Sequence, residues 1–188
     1  TTPVARAVDA IAQGDDQALN RLMEAWSQPL LAYLTRLTGN ATSAGDLAQE
    51  SFVRVFRHRF DFRTGNRFST WLFTIAANLA RNHFRWRARH PNISLEAESP
   101  ETEQSLGSTL PASGLAPNEE ALAVERARAV RTAVGKLPED LREAIVLCEW
   151  EERSVAEAAT ILETTSKAVE SRLYRARGVL RDRLKSWL

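Results

Sequence analysis

The segment FSTWLFTIAANLARNHFRWRAR, residues 68–89, combines aromatic and aliphatic residues with two asparagines and a late run of arginines. At about 100° per residue, these residue types separate onto two faces of one helix. Ser69 or Thr70 is positioned to cap the N-terminus of that helix. We expect the apolar face to pack against a core, and its members are Trp71, Leu72, Ile75, Leu79 and Trp86.

The polar face of the same helix has no acidic residue of its own to pair with its arginines, and Arg87 and Arg89 add positive charge beside it. A solvated surface is one interpretation. Contact with nucleic acid is the other, because guanidinium groups beside amides match phosphate oxygens and base edges. The polar face consists of Thr74, Asn78, Arg81 and Arg85.

The preceding segment, RHRFDFRTGNRF at residues 57–68, alternates aromatic rings with cations. A turn-forming segment of this kind can hold an unstacked base by ring stacking and by charge. Alternatively, the rings anchor the segment to the core, and we expect one or two of them to do so. The rings are Phe60, Phe62 and Phe68, and the cations are Arg59, Arg63 and Arg67.

The whole chain has 188 residues, 44% of them hydrophobic, and a net charge of +1. Alternating β-branched runs are nearly absent, so the predicted fold class is all-α. Residues 91–118 are rich in Pro, Ser, Thr and Gly and contain no Lys or Arg, which predicts a flexible acidic linker between two small helical domains, 1–90 and 119–188. Helices are predicted near 4–13, 15–39, 43–59 and 69–89, and near 119–134, 138–150, 154–162 and 166–187.

Residues 152–184 fit a helix-turn-helix. Ser154 and Glu157 have the spacing of a capping box, residues 163–165 form the turn, and Thr165 or Ser166 caps the second helix. A plain amphipathic hairpin is the alternative, but the excess of arginine after residue 171 favours DNA binding. The second helix buries Val169, Leu173, Ala176 and Leu180 and turns Lys167, Ser171, Tyr174, Arg175 and Gly178 outward, flanked by Arg172, Arg177 and Arg181.

The sequence offers no sign of a catalytic or metal site. Cys148 is the single cysteine and lies in an apolar run, and the three histidines lack metal-ligand spacing. No nucleotide-hydrolysis motif, membrane-length apolar run or signal peptide is visible. We therefore expect a cytoplasmic protein that is not an enzyme and that needs no cofactor and no small-molecule substrate.

Several segments in this order resemble one family. GDLAQESFVRVFRH, FSTWLFTIAANLARN, an acidic linker, LPEDLREAIVL and ESRLYRARGVLRDRL are together similar to the bacterial sigma factors of the extracytoplasmic-function (ECF) group. The resemblance covers about residues 17–90 and 119–185. It implies an alternative sigma factor that responds to a stress or envelope signal, with core RNA polymerase and promoter DNA as partners. It also implies an anti-sigma factor, often membrane-bound, that would hold the protein at the inner membrane.

The resemblance assigns roles by position. The first domain is expected to bind the polymerase clamp and open the minus-ten element, and the second to read the minus-thirty-five element. The clamp helix is expected to bury Ala48, Phe52, Val55 and Phe56. The expected contacts are Asp46, Gln49 and Glu50 with polymerase; Arg59, Phe60, Phe62, Arg63, Asn78, Arg81 and Arg85 with minus-ten DNA; and Lys167, Ser171, Arg172, Tyr174 and Arg175 with minus-thirty-five DNA.

Two residues depart from the family pattern. Glu163 stands where the turn often has glycine, and Glu170 stands where a basic residue often precedes Ser171 and Arg172. Because an acid facing DNA repels phosphate or accepts from a cytosine amino group, Glu170 puts the upstream sequence preference in question. The acidic linker is interpreted either as a solvated tether or as a mimic of nucleic acid in a basic polymerase channel.

Two other functions fit the residues. One is a helix-turn-helix regulator that never joins polymerase, and the other is an all-helical adaptor whose basic faces bind acidic protein. Run-off transcription with sigma-free core polymerase separates all three.

Overall fold

The computed structural model describes residues 15–62, 67–90 and 117–187, and every regular element among them is a helix. The predicted all-α class, with two helical domains, is confirmed. The predicted helix at 4–13, the turn at 65–66 and most of the linker lie outside the described residues. The helices are α1 (Asp16–Thr38), α2 (Ala41–Arg57), α3 (Phe68–Arg89), α4 (Pro117–Gly135), α5 (Glu139–Ile145), α6 (Val155–Ile161) and α7 (Ser166–Arg183), with 3-10 turns at Arg59–Asp61 and Lys185–Trp187 and a π-helical turn at Val146–Trp150.

The first three helices form one block around a shared core. Asp15 caps α1 by accepting from two backbone amides, and Gly39 ends it at φ 68°, a left-handed conformation that glycine adopts without strain. Asn40 then caps α2. Tyr33 and Phe73 pack at 4.9 Å between ring centroids in the centre of the block, which fixes α3 against α1.

Some local predictions for this block were wrong. Arg67 stands at the N-cap of α3 without a side-chain cap, and Ser69 is buried inside the helix. Trp86 and Phe56, both expected in the core, are exposed. The exposure of Trp86 follows from its place in the last turn of α3, where its ring stacks on His90 instead of on another helix.

The second block contains the predicted helix-turn-helix, formed by α6 and α7. The capping box of Ser154 and Glu157 is present, and Thr165 caps α7. Glu163 lies in the turn at φ 52°, which costs energy for any residue with a side chain. Val169, Leu173 and Ala176 of α7 are buried as predicted.

The two blocks pack against each other. Helix α3 lies against α6, and α1 lies against α5 and the π-helical turn. Arg36 pairs with Glu151 at 2.9 Å, and Arg142 Nη1 donates to the Leu37 carbonyl at 2.6 Å. The Arg153 guanidinium lies 4.8 Å from the centroid of the Phe73 ring. Basic side chains of each block thus reach into the other.

Candidate nucleic-acid interface

The polar face of α3 is built from a repeated Asn–Arg pair. Arg81 Nη2 donates to Asn78 Oδ1 at 2.6 Å, and one turn later Arg85 Nη2 donates to Asn82 Oδ1, also at 2.6 Å. Each arginine therefore occupies the amide oxygen and leaves the amide nitrogen to donate outward. The α3 polar face, as used below, comprises Asn78, Arg81, Asn82 and Arg85.

Sequence reasoning missed Asn82. The signal was present in the segment NLARNHFR, where Asn-x-x-Arg occurs twice in succession. A spacing of three residues places both members of each pair on one side of a helix, so the repeat predicts two paired amides in a row.

Acidic residues of the second block cover one half of the α3 polar face. Glu143 lies 3.6 Å from Arg81, and Asn78 Nδ2 donates to Glu163 Oε1 at 3.4 Å. Next to them, Arg67 pairs with Glu157 at 2.6 Å. The arginines of α3 lack acids within the helix, but the second block supplies one to Arg81. The acid row, as used below, is Glu143, Glu157 and Glu163.

The acid row includes one buried and one partly exposed carboxylate with opposite pKa shifts. Glu143 is 3% exposed, and this burial raises its pKa to about 7, while Arg81 acts in the lowering direction. Its Oε1 atom has no hydrogen-bond partner within the described structure. Hydrogen bonds from the Ser154 backbone and hydroxyl lower the pKa of Glu157, so Glu157 is ionised at neutral pH.

The aromatic segment before α3 divides its rings between solvent and core. Phe60 is 63% exposed, and the Arg59 guanidinium lies 4.4 Å from its ring centroid. Phe62 is only 5% exposed and packs at 5.0 Å on the Trp71 ring, so its assignment to DNA contact is corrected to a core role. Phe68 is buried as well, which agrees with the expectation that one or two rings anchor the segment. Arg63 lies outside the described residues.

Arg59 is more engaged than the sequence indicated. Its guanidinium also lies 4.2 Å from the Phe56 ring centroid and 3.4 Å from Asp16, and its Nη1 donates to the Phe56 carbonyl. These contacts hold Arg59 beside Phe60, so the exposed Phe60 ring rests on a side chain whose own position is fixed.

Helix α2 presents its polar side to solvent. Asp46 and Gln49 are exposed, and Glu50 is half-buried. Arg54 Nε donates a hydrogen bond to Glu50 Oε1 at 2.9 Å. Ala48 and Val55 are buried on the opposite side, as predicted. Within the described residues, no side chain of the second block contacts Asp46, Gln49 or Glu50 through a hydrogen bond or ion pair.

Helix α7 exposes most of the side chains predicted to contact DNA. Tyr174 is 82% exposed, and Lys167 and Ser171 are exposed beside it. Arg175 and Arg172 lie 3.6 and 3.8 Å from Asp140, so one carboxylate holds both guanidinium groups near the N-terminal half of the helix. Glu170 is exposed on the same helix.

Similarity to known proteins establishes the family to which this chain belongs. Residues 22–90 match the family model for sigma-70 region 2, and residues 127–180 match the one for sigma-70 region 4. The RNA polymerase sigma-H factor of Pseudomonas aeruginosa is 32% identical over 96% of this chain and 93% of its own length. The chain belongs to the sigma-70 family. An ECF sigma-E factor of Haemophilus influenzae (34% identical, 95% and 93% covered) and the ECF sigma factor SigW of Bacillus subtilis (30% identical, 97% of both) place it in the ECF group.

A solved structure resembles this sigma factor along nearly all of its length. CnrH, determined in complex with the cytosolic domain of CnrY, has a TM-score of 0.69 at 28% identity, with 98% of this chain and 99% of that chain covered. The RpoE sigma factor of Bartonella quintana, determined with the anti-sigma factor NepR, shares the fold with a TM-score of 0.63 at 24% identity, covering 88% of this chain and 96% of that one.

The family membership identifies an alternative sigma factor, which directs promoter recognition and transcription initiation. Its partners are core RNA polymerase and promoter DNA, which regions 2 and 4 bind. No helix among the described residues is long and apolar enough to cross a membrane. The same residues contain no cluster of three or more side chains that could ligate a metal ion.

Proposed function

We propose that the sigma factor divides promoter recognition between two surfaces: the α3 polar face with Phe60 captures the melted minus-ten strand, and the outer side of α7 reads the minus-thirty-five element as duplex. The first surface belongs to a domain spanning residues 1–90 and the second to a domain spanning 119–188, joined by the segment 91–118. The observation that carries this proposal is the double Asn–Arg pair on α3 beside an exposed, arginine-backed phenylalanine.

Opening promoter DNA costs a few kcal/mol for each base that leaves the stack. The chain contains no GxxxxGK[ST] segment for nucleotide hydrolysis, so binding energy has to supply this cost. The stack of Arg59 on Phe60 offers a ring for an unstacked base, and the outward amides of Asn78 and Asn82 offer donors for base acceptors. Surfaces that bind single-stranded DNA better than duplex shift the closed–open equilibrium of the promoter.

On α7, the short polar residues near the N-terminus suit the major groove. Lys167 and Ser171 reach base edges or phosphates from the first turns, while Tyr174 and Arg175 extend the contact along the helix. Asp140 keeps Arg172 and Arg175 side by side, which prepares the two guanidinium groups for adjacent phosphates or for a guanine edge.

On α2, Asp46, Gln49 and Glu50 form the surface for the polymerase clamp. They project from a helix whose other side is buried, so the surface is fixed in the free protein. The polymerase supplies the chemistry, and the sigma factor acts as a binding subunit rather than an enzyme. An anti-sigma factor that responds to a stress or envelope signal controls it in the cytoplasm, at times from the inner membrane.

Run-off transcription with sigma-free core polymerase and a promoter library tests this function. We expect transcripts only when the chain is added. An Asn78→Ala/Arg81→Ala variant should lose initiation while retaining core binding, whereas Arg21→Ala, which changes an exposed residue on α1, serves as the matched control. Duplex binding without transcripts would indicate a regulator that does not join polymerase, and neither binding nor transcripts would indicate an adaptor.

A further inference from the structure

Glu170 lies on α7 among the side chains that the helical period turns away from the core. It stands three residues after Lys167 and four before Tyr174, so the three side chains share one side of the helix. Val169 and Leu173 of the same helix are buried in the core. Glu170 is therefore an exposed acid in the second turn of α7, within the surface to which we assign the minus-thirty-five element.

Two acids from neighbouring elements pair with arginines of α7, whereas Glu170 pairs with none. Asp140 lies within 3.8 Å of two of these arginines, and Glu149 pairs with Arg177 at 2.6 Å. Glu170 forms no ion pair or side-chain hydrogen bond with any residue that the structure describes. The residues four positions before and after it are a serine and a tyrosine, so α7 provides no cation at that spacing. The Glu170 carboxylate is thus available to a partner outside the chain.

A carboxylate in the major groove discriminates among bases because it accepts hydrogen bonds and donates none. Guanine presents two acceptors in that groove, thymine an acceptor and a methyl group, and adenine an acceptor beside its donor. Cytosine alone presents a donor, its N4 amino group, without an acceptor. A negative charge near DNA also repels phosphates, and this cost is the same for every sequence. A contact with cytosine is the one that offsets the cost, so an acid makes the surface selective.

We propose that Glu170 determines specificity within the minus-thirty-five element: its carboxylate accepts a hydrogen bond from the N4 amino group of one cytosine in the major groove. The inference rests on the proposed function of α7 as the helix that reads this element. Lys167 and Tyr174 flank Glu170 and are about 10 Å apart along the helix axis, so the three side chains cover about three base pairs. Lys167 also supplies positive charge that reduces the repulsion between Glu170 and nearby phosphates.

Run-off transcription by the reconstituted holoenzyme tests this assignment on a promoter recovered from the library described above. Each base pair of its minus-thirty-five element is replaced in turn by the other three. We expect the wild-type chain to prefer cytosine at one position by about tenfold or more over the other bases. Glu170→Ala should abolish the preference at that position alone. Glu170→Gln should transfer it to adenine, because a side-chain amide matches adenine N6 and N7.

Asp182→Asn is the matched control for charge. Asp182 is exposed on the same helix about 18 Å further along its axis, so D182N removes one negative charge outside the first turns. D182N should therefore retain the preference for cytosine. Circular dichroism of E170A and E170Q should match that of the wild-type chain, because the Glu170 side chain is exposed and makes no contact that the fold needs.

Two results would overturn the proposal. One is an unchanged base preference in E170A at every position. The other is a uniform rise in transcription from all sequences that D182N reproduces, since Glu170 would then act through its charge alone. Either result, obtained with a wild-type chain that initiates, leaves the proposed sigma function intact. An absence of transcripts from the wild-type chain would instead reject that function and this inference with it.

Discussion

Helices α3 and α7 have the same design, a buried apolar side and an outer side rich in arginine and amide or hydroxyl groups, but they differ in what faces them. On α3, Asn78 and Arg81 contact Glu163 and Glu143 of the other block. On α7, Lys167, Ser171 and Tyr174 are open to solvent. The availability of a nucleic-acid surface therefore depends on its neighbours and does not follow from the periodicity of its own helix.

The difference has a consequence for the free protein. Duplex DNA can approach α7 directly, whereas a single strand finds half of the α3 polar face neutralised. The other half, Asn82 and Arg85, is exposed and forms no ion pair with an acid of the second block among the described residues.

The strongest effect should come from pH, through Glu143. Its pKa is about 7 in the packed structure, because burial disfavours its charge, and we expect the pKa to fall toward its ordinary value if separation of the blocks admits water to the carboxylate. A raised pKa means that docking binds a proton, so docking is strongest below the ordinary pKa and weakens as pH rises toward 7. The docking constant should fall by up to about tenfold per pH unit in that window. Affinity of the free chain for single-stranded DNA, measured from pH 5 to 8, reports this opening.

Glu143→Gln supplies the control for that titration. A neutral glutamine removes the proton exchange, so the pH dependence should flatten even though His83 and the other groups nearby still titrate. An unchanged profile in E143Q would assign the pH dependence to other groups and would rule out a role for Glu143 in the contact between the blocks.

On the open helix, Arg175→Ala should weaken binding of the holoenzyme to duplex promoter by about 1–3 kcal/mol if Arg175 makes a bidentate base contact. Arg177→Ala is the matched control, because Arg177 lies on the same helix and pairs with Glu149 at 2.6 Å. Equal losses in the two variants, seen as parallel shifts in salt titrations, would mean that Arg175 contributes only charge.

Substitutions of Phe60 and Phe62 should affect different properties, promoter opening for Phe60 and thermal stability for Phe62. Phe60→Ala is expected to cost about 1–3 kcal/mol in open-complex stability, because one base loses its stacking partner. Phe62→Ala should instead lower the melting temperature, since the ring packs on Trp71 in the core. Permanganate footprinting and calorimetry measure the two effects, and an open complex unaffected by F60A would remove the stacking role.

The smallest expected effect is a gain in stability. Glu163→Gly should stabilise the second block by up to about 1 kcal/mol, because relief of the left-handed conformation, about 1–2 kcal/mol, exceeds the conformational entropy that glycine adds to the unfolded chain, about 0.5–1 kcal/mol. The same change releases Asn78 and should raise affinity for single-stranded DNA. Glu152→Gly, at φ 50° on an exposed residue, is the control that relieves similar strain without a contact to α3. Equal DNA affinities in E163G and E152G would contradict a role for Glu163 in covering α3.

Much of the fold could be predicted from local sequence. Capping residues and hydrophobic period defined α6 and α7, because Ser154, Glu157 and Thr165 act within one turn of chain. The wrong expectations concerned ends and faces that depend on distant packing. Trp86 fits the apolar stripe by angle, yet it lies in the last turn of α3, where its ring stacks on His90 and stays 46% exposed.

The candidate site was only partly predictable for the same reason. The outer sides of α3 and α7 follow from helical period, and Phe60 and Phe62 look alike in sequence although only Phe62 meets Trp71. The acid row could not be foreseen, because Glu143, Glu157 and Glu163 reach α3 through contacts between residues 62 to 90 positions apart, which periodicity does not report.

Fluorescence energy transfer between the blocks tests most directly whether they are packed together in the free chain. Dyes on Arg21→Cys and Lys185→Cys, both exposed positions, would be introduced after Cys148→Ala. We predict high transfer in the free chain and a marked fall when core polymerase is added, before any DNA is present. Unchanged transfer in a holoenzyme that initiates transcription would contradict the account.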